Sequence, residues 1–279
     1  KPLKVLQLAI ADNGGATWFY RDALLAHTGH ECRAVRMHQG WLDYPADVLV
    51  PDAAELAELY RWADVIHLHD EAGALVRRWR HKPTVVTYHG TRYRRAPEQF
   101  NELCARRGRP LTVSTLDLTA WGGEWLPTPR RNLDRFWRPG HEFIVCHAPT
   151  NRIRKRTDIV IAATAQARGC QLRLVENQPY RRAMRKKAGC RCLIDSWLGY
   201  GNNSIEAWAL GMPVISGASM ELRQMMLTAW GVVPFITAEP ETALLVEILE
   251  RLRWEPAFYE QARQMGRAHY EKYHRPEVV

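Results

Sequence analysis

Short apolar runs alternate with helical stretches along this chain, and they do so in two separate series. The first series puts buried strands at 4–11 (KVLQLAIA), 31–37, 64–68 (DVIHL), 83–88 and 111–114, with helices at 16–28 and 53–62. The second puts strands at 143–148 (FIVCHA), 171–176, 192–196, 214–215 and 231–236. Its helices fall at about 157–168, 178–188, 204–210, 219–229, 241–253 and 256–272. Strands joined one at a time through helices call for parallel sheets with crossover connections. The stretch 126–140 (LPTPRRNLDRFWRPG) breaks the rhythm and reads as a linker. The expectation is an α/β chain of two doubly wound, Rossmann-like domains facing across a cleft. They span 1–138 and 139–279, with the last helix free to pack back on the first domain. Ligands in such sheets bind at the carboxyl ends of the strands.

The 279 residues, 46% of them hydrophobic, supply enough apolar surface for two such cores. No apolar run approaches the ~18–20 residues that span a bilayer, and the start reads as a strand rather than a signal segment. Six cysteines without a CxxC pair read as reduced structural thiols, which points to a cytoplasmic protein. The net charge of +9 is unevenly spread. Residues 77–156 carry 18 Lys or Arg against 6 Asp or Glu, while the rest carries 21 against 24. Arg outnumbers Lys 32 to 7, which a codon bias would explain, but bias does not explain clustering. With Trp79, Tyr93, Trp121, Trp125, Phe136 and Trp137 interleaved, the stretch suits a polyanionic partner.

Residues 195–217 (DSWLGYGNNSIEAWALGMPVISG) carry the chemistry most plainly. A glycine-punctuated turn, 199–203, runs into a helix that Gly211 and Pro213 close before a buried strand. Free N–H groups at such a helix start, with the dipole behind them, suit a phosphate. Glu206, one turn in, is placed to accept hydrogen bonds from sugar hydroxyls; its purely structural reading is a residue complementing the dipole.

Five motifs in order resemble the GT-B glycosyltransferases of the large retaining, sugar-nucleotide-dependent class. They are NGGA (13–16), DVIHLHD (64–70), PTVVTYHG (83–90), HAPTNRIRKRTD (147–158) and LGYGNNSIEAWALGMPVISG (198–217). The resemblance implies that Glu206 holds the nucleotide ribose and that Gly201, Asn202, Asn203 and Ser204 face the diphosphate and donor sugar. It implies that Arg152 and Lys155 neutralise the departing diphosphate, a UDP-linked donor being expected. Gly14 and Gly15 sit where the first strand meets its helix, either approaching the donor phosphates or forming a plain tight turn. The family commonly has a glutamate where this chain has Leu198, so the identity of the donor sugar is open. No cofactor or metal is expected; no Asp-x-Asp pair occurs, and the His67-x-His69 pair has no third ligand at suitable spacing.

The catalytic candidates are His69, which matches the family's active-site histidine, and Asp70, placed to orient it or an acceptor hydroxyl. Retaining members are thought to let acceptor and leaving group react on one face of the sugar, with the departing phosphate assisting deprotonation. The acceptor candidates are His89, Thr91, Arg92, Tyr93, Arg94 and Arg95, arginines for phosphates with a ring to stack on a base. Some viral DNA glycosyltransferases share this compact fold. The leading expectation is therefore sugar transfer to a hydroxylated base in DNA such as 5-hydroxymethylcytosine, in a host cytoplasm if the protein is viral, with base flipping if the DNA is duplex. The alternatives are a glycan, small-molecule or protein acceptor, and a non-catalytic nucleic-acid-binding protein on a transferase scaffold.

Overall fold

The computed structural model describes residues 1–12, 14–40, 42–70 and 81–279, and the chain divides into two compact units. The first comprises Lys1–Pro129 with Pro276–Val279, and the second comprises Arg130–Arg275.

In the first unit β1 (Lys4–Ala9), β2 (Glu31–Arg36), β3 (Val48–Leu49), β4 (Val65–His69), β5 (Thr84–Tyr88), β6 (Leu111–Val113) and β7 (Glu124–Trp125) form one sheet among the described residues. Their order is β3-β2-β1-β4-β5-β6-β7, all parallel. Leu6, Leu8, Ile66, Leu68, Val86 and Val113 fill the core, because strands covered on both faces must be apolar nearly throughout. Helices α1 (Ala16–His27), α2 (Ala53–Trp62), α3 (Thr91–Arg95) and α4 (Pro97–Arg106) connect them. Asp52 caps α2, its carboxylate accepting from the N–H groups of Ala54 and Glu55 at 2.8 Å.

The second unit pairs β8 (Phe143–His147), β9 (Cys170–Leu174), β10 (Cys192–Ile194), β11 (Val214–Ser216) and β12 (Ile236–Thr237) in the parallel order β12-β11-β10-β8-β9. Around them stand α5 (Thr157–Gln166), α6 (Tyr180–Ala188), α7 (Asn202–Leu210), α8 (Met220–Trp230), α9 (Thr242–Trp254) and α10 (Pro256–Tyr273). Gly211 closes α7 at φ 86°, a left-handed angle that suits glycine, with its N–H donating to the Trp208 carbonyl. α10 packs on α7 closely enough that a Cβ on Gly266 would lie 2.3 Å from the Trp208 ring.

The strand expected at 231–236 is reduced to Ile236–Thr237, since Gly231 is still ending α8 at φ 74°. The boundary also falls earlier than the expected break at 138. Residues 130–138 are not a loose linker: the Arg130 N–H donates to His274, that of Leu133 to Ala209, and the Trp137 indole to Cys190. Those bonds fasten the segment to the second unit. All six cysteines are free thiols, and no described helix is long and apolar enough to cross a membrane.

Candidate active site

Each sheet has one point where the strand order reverses. In the first unit it lies between β1 and β4; in the second, between β8 and β10. Loops leaving the carboxyl ends of those strands splay apart there, opening a crevice. The motif residues collect at these two points.

At the first point, register sets Gln7 beside His67 and Ala9 beside His69. His67 and His69 share one face, their rings 4.4 Å apart, as the period of two requires. His69 is buried and both of its ring nitrogens are taken: Nε2 meets Gln7 Oε1 at 2.8 Å and Nδ1 meets His89 Nε2 at 2.9 Å. The Gln7 oxygen can only accept, so His69 Nε2 carries the proton and Nδ1 accepts one from His89 Nε2. Burial, then the neighbouring His67 and His89, hold the His69 pKa well below its ordinary value, so this ring is neutral. The half-buried member of the group is His89, stacked on His69 at 5.2 Å with 9° between planes. His67 is a packed residue. Its Nε2 donates to Thr87 Oγ1 at 2.6 Å, which donates to Thr112 Oγ1, which reaches the Val86 carbonyl. Burial lowers the His67 pKa to about 3.

Asp70 takes a left-handed conformation, φ 56°, and its carboxylate accepts the backbone N–H of His89 at 2.8 Å. Asp70 therefore positions His89 rather than the ring of His69. Burial raises its pKa, with His89 acting in the opposite sense.

Gly14 and Gly15 enter α1, but the N–H groups of its first two residues are occupied. Asp12 accepts from Ala16 N at 2.9 Å, Thr17 N at 2.8 Å and the Thr17 hydroxyl at 2.5 Å. A buried carboxylate stands where a donor phosphate would need those N–H groups. Gly15 has a packing reason of its own: φ is 69°, and a Cβ there would lie 2.3 Å from Tyr44. Both features favour the plain tight turn. Asn13, in the same motif, lies outside the described residues.

The second point is built differently. The N-cap residue of α7 is Gly201, which has no side chain to cap the helix. Asp195, at the end of β10, accepts from Ser204 Oγ at 2.5 Å and Gly201 N at 3.2 Å, which pins the turn to the strand. Burial would raise the Asp195 pKa, but the ion pair with Lys155 and the Ser204 bond outweigh it and hold the carboxylate ionised. Arg152 is exposed and forms a two-pronged pair with Glu176, Nε to Oε1 at 2.8 Å and Nη2 to Oε2 at 2.5 Å. That pair lowers the Glu176 pKa. His147 joins the two strands of the switch point: its Nδ1 donates to the Ile194 carbonyl at 2.8 Å, so its Nε2 accepts from Thr157 at 3.0 Å.

Glu206 is buried, with a partner the sequence did not suggest. Lys187 Nζ, itself buried, donates to Glu206 Oε2 at 2.6 Å and to Asn203 Oδ1 at 2.5 Å. Asn203 in turn donates to the Ala148 carbonyl at 2.9 Å. Among the described residues Glu206 Oε1 accepts no hydrogen bond, and the buried Arg130 guanidinium forms a long ion pair with it at 3.9 Å. One lone-pair face of this carboxylate is thus left for a hydroxyl. Leu198, 59% exposed, contributes no polar group to the turn.

The acceptor residues fare unequally. Tyr93 is not a surface ring: it is fully buried, stacked on Tyr88 at 5.2 Å, with its hydroxyl donating to Asn101 at 2.6 Å. A five-residue helix must turn one side to the core, and Tyr93 is the apolar choice among its arginines. Arg94 is committed to Asp117 at 2.8 and 2.5 Å, while Arg92 and Arg95 are exposed. The side chain of Thr91, and Trp79 with residues 77–80 of the basic stretch, lie outside the described residues. Among the described residues no group of three His, Cys, Asp or Glu is placed to hold a metal ion.

The two sheets and their switch points can be set beside solved structures. One match is the Anabaena protein HepE (Alr3699) in complex with UDP-glucose. It has 14% identity and a TM-score of 0.69, over 98% of this chain and 96% of that one. The fold is GT-B. An alpha-glucosyltransferase in complex with UDP-glucose and DNA containing an abasic site matches at 12% identity and TM-score 0.68, over 99% and 96% of the two chains. A UDP-N-acetylglucosamine 2-epimerase also matches, at 13% identity and TM-score 0.60, over 100% and 93%. No family model matches this chain. No curated protein matches it either. At these identities the likeness establishes architecture; the reaction has to be argued from the site.

Proposed function

We propose that the protein is a glycosyltransferase that takes a sugar from a UDP-linked donor, with retention and without a metal ion. The observation that carries this reading is the second switch point: a helix that opens on Gly201, with Lys155 tied to its turn through Asp195, Arg152 on the same loop as Lys155, and a buried carboxylate, Glu206, one turn in. Backbone N–H groups and two cations suit a diphosphate, and they stabilise it most as charge builds on the leaving group. Arg152 and Lys155 would then exchange Glu176 and Asp195 for phosphate oxygens. Glu206 Oε1 accepts a ribose hydroxyl, while Lys187 holds the other oxygen in place.

In the first unit the ring able to meet a ligand is His89, held by Asp70 and backed by His69 and Gln7. We propose that this unit serves the acceptor and that the acceptor is a hydroxylated base in DNA, such as 5-hydroxymethylcytosine. Support comes from the local charge of residues 77–156, the exposed Arg92 and Arg95, and a solved DNA-bound structure of the same fold. The burial of Tyr93 favours a second reading, the same chemistry on a glycan or small molecule, because it removes one stacking ring from the acceptor motif.

The test is mass spectrometry of hydroxymethylcytosine DNA after incubation with a panel of sugar nucleotides. A mass gain of one sugar per modified base supports the DNA reading. Donor consumption without it supports the second reading, and no consumption of any donor overturns both. Glu206→Ala should abolish donor use; unchanged activity would sink the pocket assignment.

A further inference from the structure

The DNA reading draws on residues before 157, yet a helix beyond that stretch is also strongly basic. α6 carries Lys or Arg at five of its nine positions and no acidic residue. Lys187 turns inward to Glu206, while Arg181, Arg182 and Arg185 are exposed. Nothing within the helix calls for them. Cations in the last turn suit the dipole, but Arg181 and Arg182 stand in the first turn, where positive charge opposes it. Arg181 with Arg185, and Arg182 with Lys186, are like-charge pairs four residues apart, which destabilise a helix.

Other arginines of this unit are matched within their own segment: Arg251 with Glu255, Arg263 with Glu260, Arg267 with Glu271. Among the described residues Arg181, Arg182 and Arg185 have no carboxylate partner.

A cavity of about 580 Å³ lies between α6 and the segment before β8. Its floor includes Phe136, Met184 and Leu210, and Arg138, Arg181 and Arg185 stand around it. Phe136 is 52% exposed, with the Arg135 guanidinium over its ring at 4.7 Å. The cavity reaches Leu210, the last residue of α7, on the side of the sheet where β11 begins; the Gly201 turn stands at the opposite, carboxyl side. An exposed aromatic ring with Arg135 over one face, beside Arg181 and Arg185 without carboxylate partners, fits a flat base carried on a phosphate backbone. A membrane surface would match the charge but not a slot lined by the rings of Phe136 and Tyr180.

We propose that α6 and residues 133–138 form a second DNA-contact surface, which takes a single-stranded stretch of the substrate with phosphates on Arg181, Arg182 and Arg185 and a base against Phe136. This rests on the DNA reading above and extends it to a surface outside the donor turn.

The test is fluorescence anisotropy of the full chain with a labelled single strand of about 16 nucleotides. The R181E/R182E/R185E variant should bind at least about tenfold more weakly, and its slope of log affinity against log salt should be shallower by about 2. The milder R181Q/R182Q variant should lose part of the affinity, and F136A should weaken single-strand binding while sparing duplex binding. UDP affinity at the wild-type level certifies the fold. Wild-type affinity and slope in both charge variants would overturn the surface. So would phosphatidylserine vesicles binding more tightly than the strand with loss in the same variants. Mass gain on DNA is read in parallel: transfer without the predicted binding loss sinks the surface alone, and binding loss without any transfer sinks the enzyme reading alone.

Discussion

The protein has two glycine-containing strand-to-helix turns at two switch points, and they are built for opposite purposes. In the first unit the turn into α1 is filled from within: Asp12 takes the N–H groups of Ala16 and Thr17, and Tyr44 and Phe19 press on Gly15. In the second unit the turn into α7 is held from the side, by Asp195 on Gly201 and Ser204, and its charges are balanced by Lys155 and Lys187. A glycine-rich turn before a helix is therefore not enough to identify an anion site. What decides is whether a carboxylate of the chain already holds N–H groups inside the helix's first turn, as Asp12 does at Ala16 and Thr17, whereas Asp195 takes that of Gly201, the residue ahead of α7.

If the second turn is held by charge, removing one charge should cost more there than any change at the first turn. Lys187→Met leaves the Glu206 carboxylate buried without its hydrogen-bonded cation, and about 3–5 kcal/mol of stability should be lost in urea unfolding. Adding Glu206→Gln should restore much of it, since the unmatched charge is gone. A loss under about 1 kcal/mol would mean that Arg130 suffices.

At the first turn the constraint is packing. Gly15→Ala forces a left-handed backbone on a residue with a Cβ and drives that atom into Tyr44, so about 1–3 kcal/mol should be lost, read as a lower urea midpoint. UDP affinity should be unchanged.

The histidines sharpen the contrast through pH. His67 is held neutral in the folded chain, its pKa lowered to about 3, while the unfolded chain titrates near the ordinary histidine value. The unfolded state therefore binds the extra proton between those values. Stability falls as pH drops below about 6.5, by up to about 1.4 kcal/mol per pH unit for this one residue. His67→Gln should flatten the pH dependence of the unfolding free energy by that share; an unaltered slope would show that His67 titrates normally in the fold.

Much of this was legible from the residues. Buried parallel strands are apolar runs, so the main strands lie within a residue or two of their expected places, and Gly211 marks the end of α7. The two-residue edge strands Val48–Leu49 and Glu124–Trp125 were not legible, because a short half-exposed edge carries no pattern. Nor was α4, whose start follows Ala96 and opens on Pro97, a junction that reads as a break. At the site, the charged residues were found but their partners were not. Lys187 looks like one more member of a basic run until the helix phase turns it inward, and Asp195 looks like the polar end of a strand. Tyr93 failed for the same reason: between arginines it resembles a surface ring, and only α3's packing on the core shows otherwise. Contacts set by tertiary phase leave no local signature.

The central claim, that the second turn and not the first receives the nucleotide diphosphate, is tested most directly by isothermal titration of UDP into the wild type, Lys155→Ala and Asp12→Asn. Lys155→Ala should lose about tenfold or more in affinity, the scale of a charge-assisted contact. Asp12→Asn should keep wild-type affinity, though about 1 kcal/mol less stable for its weakened cap. Equal losses in the two variants, or a loss confined to Asp12→Asn, would contradict it.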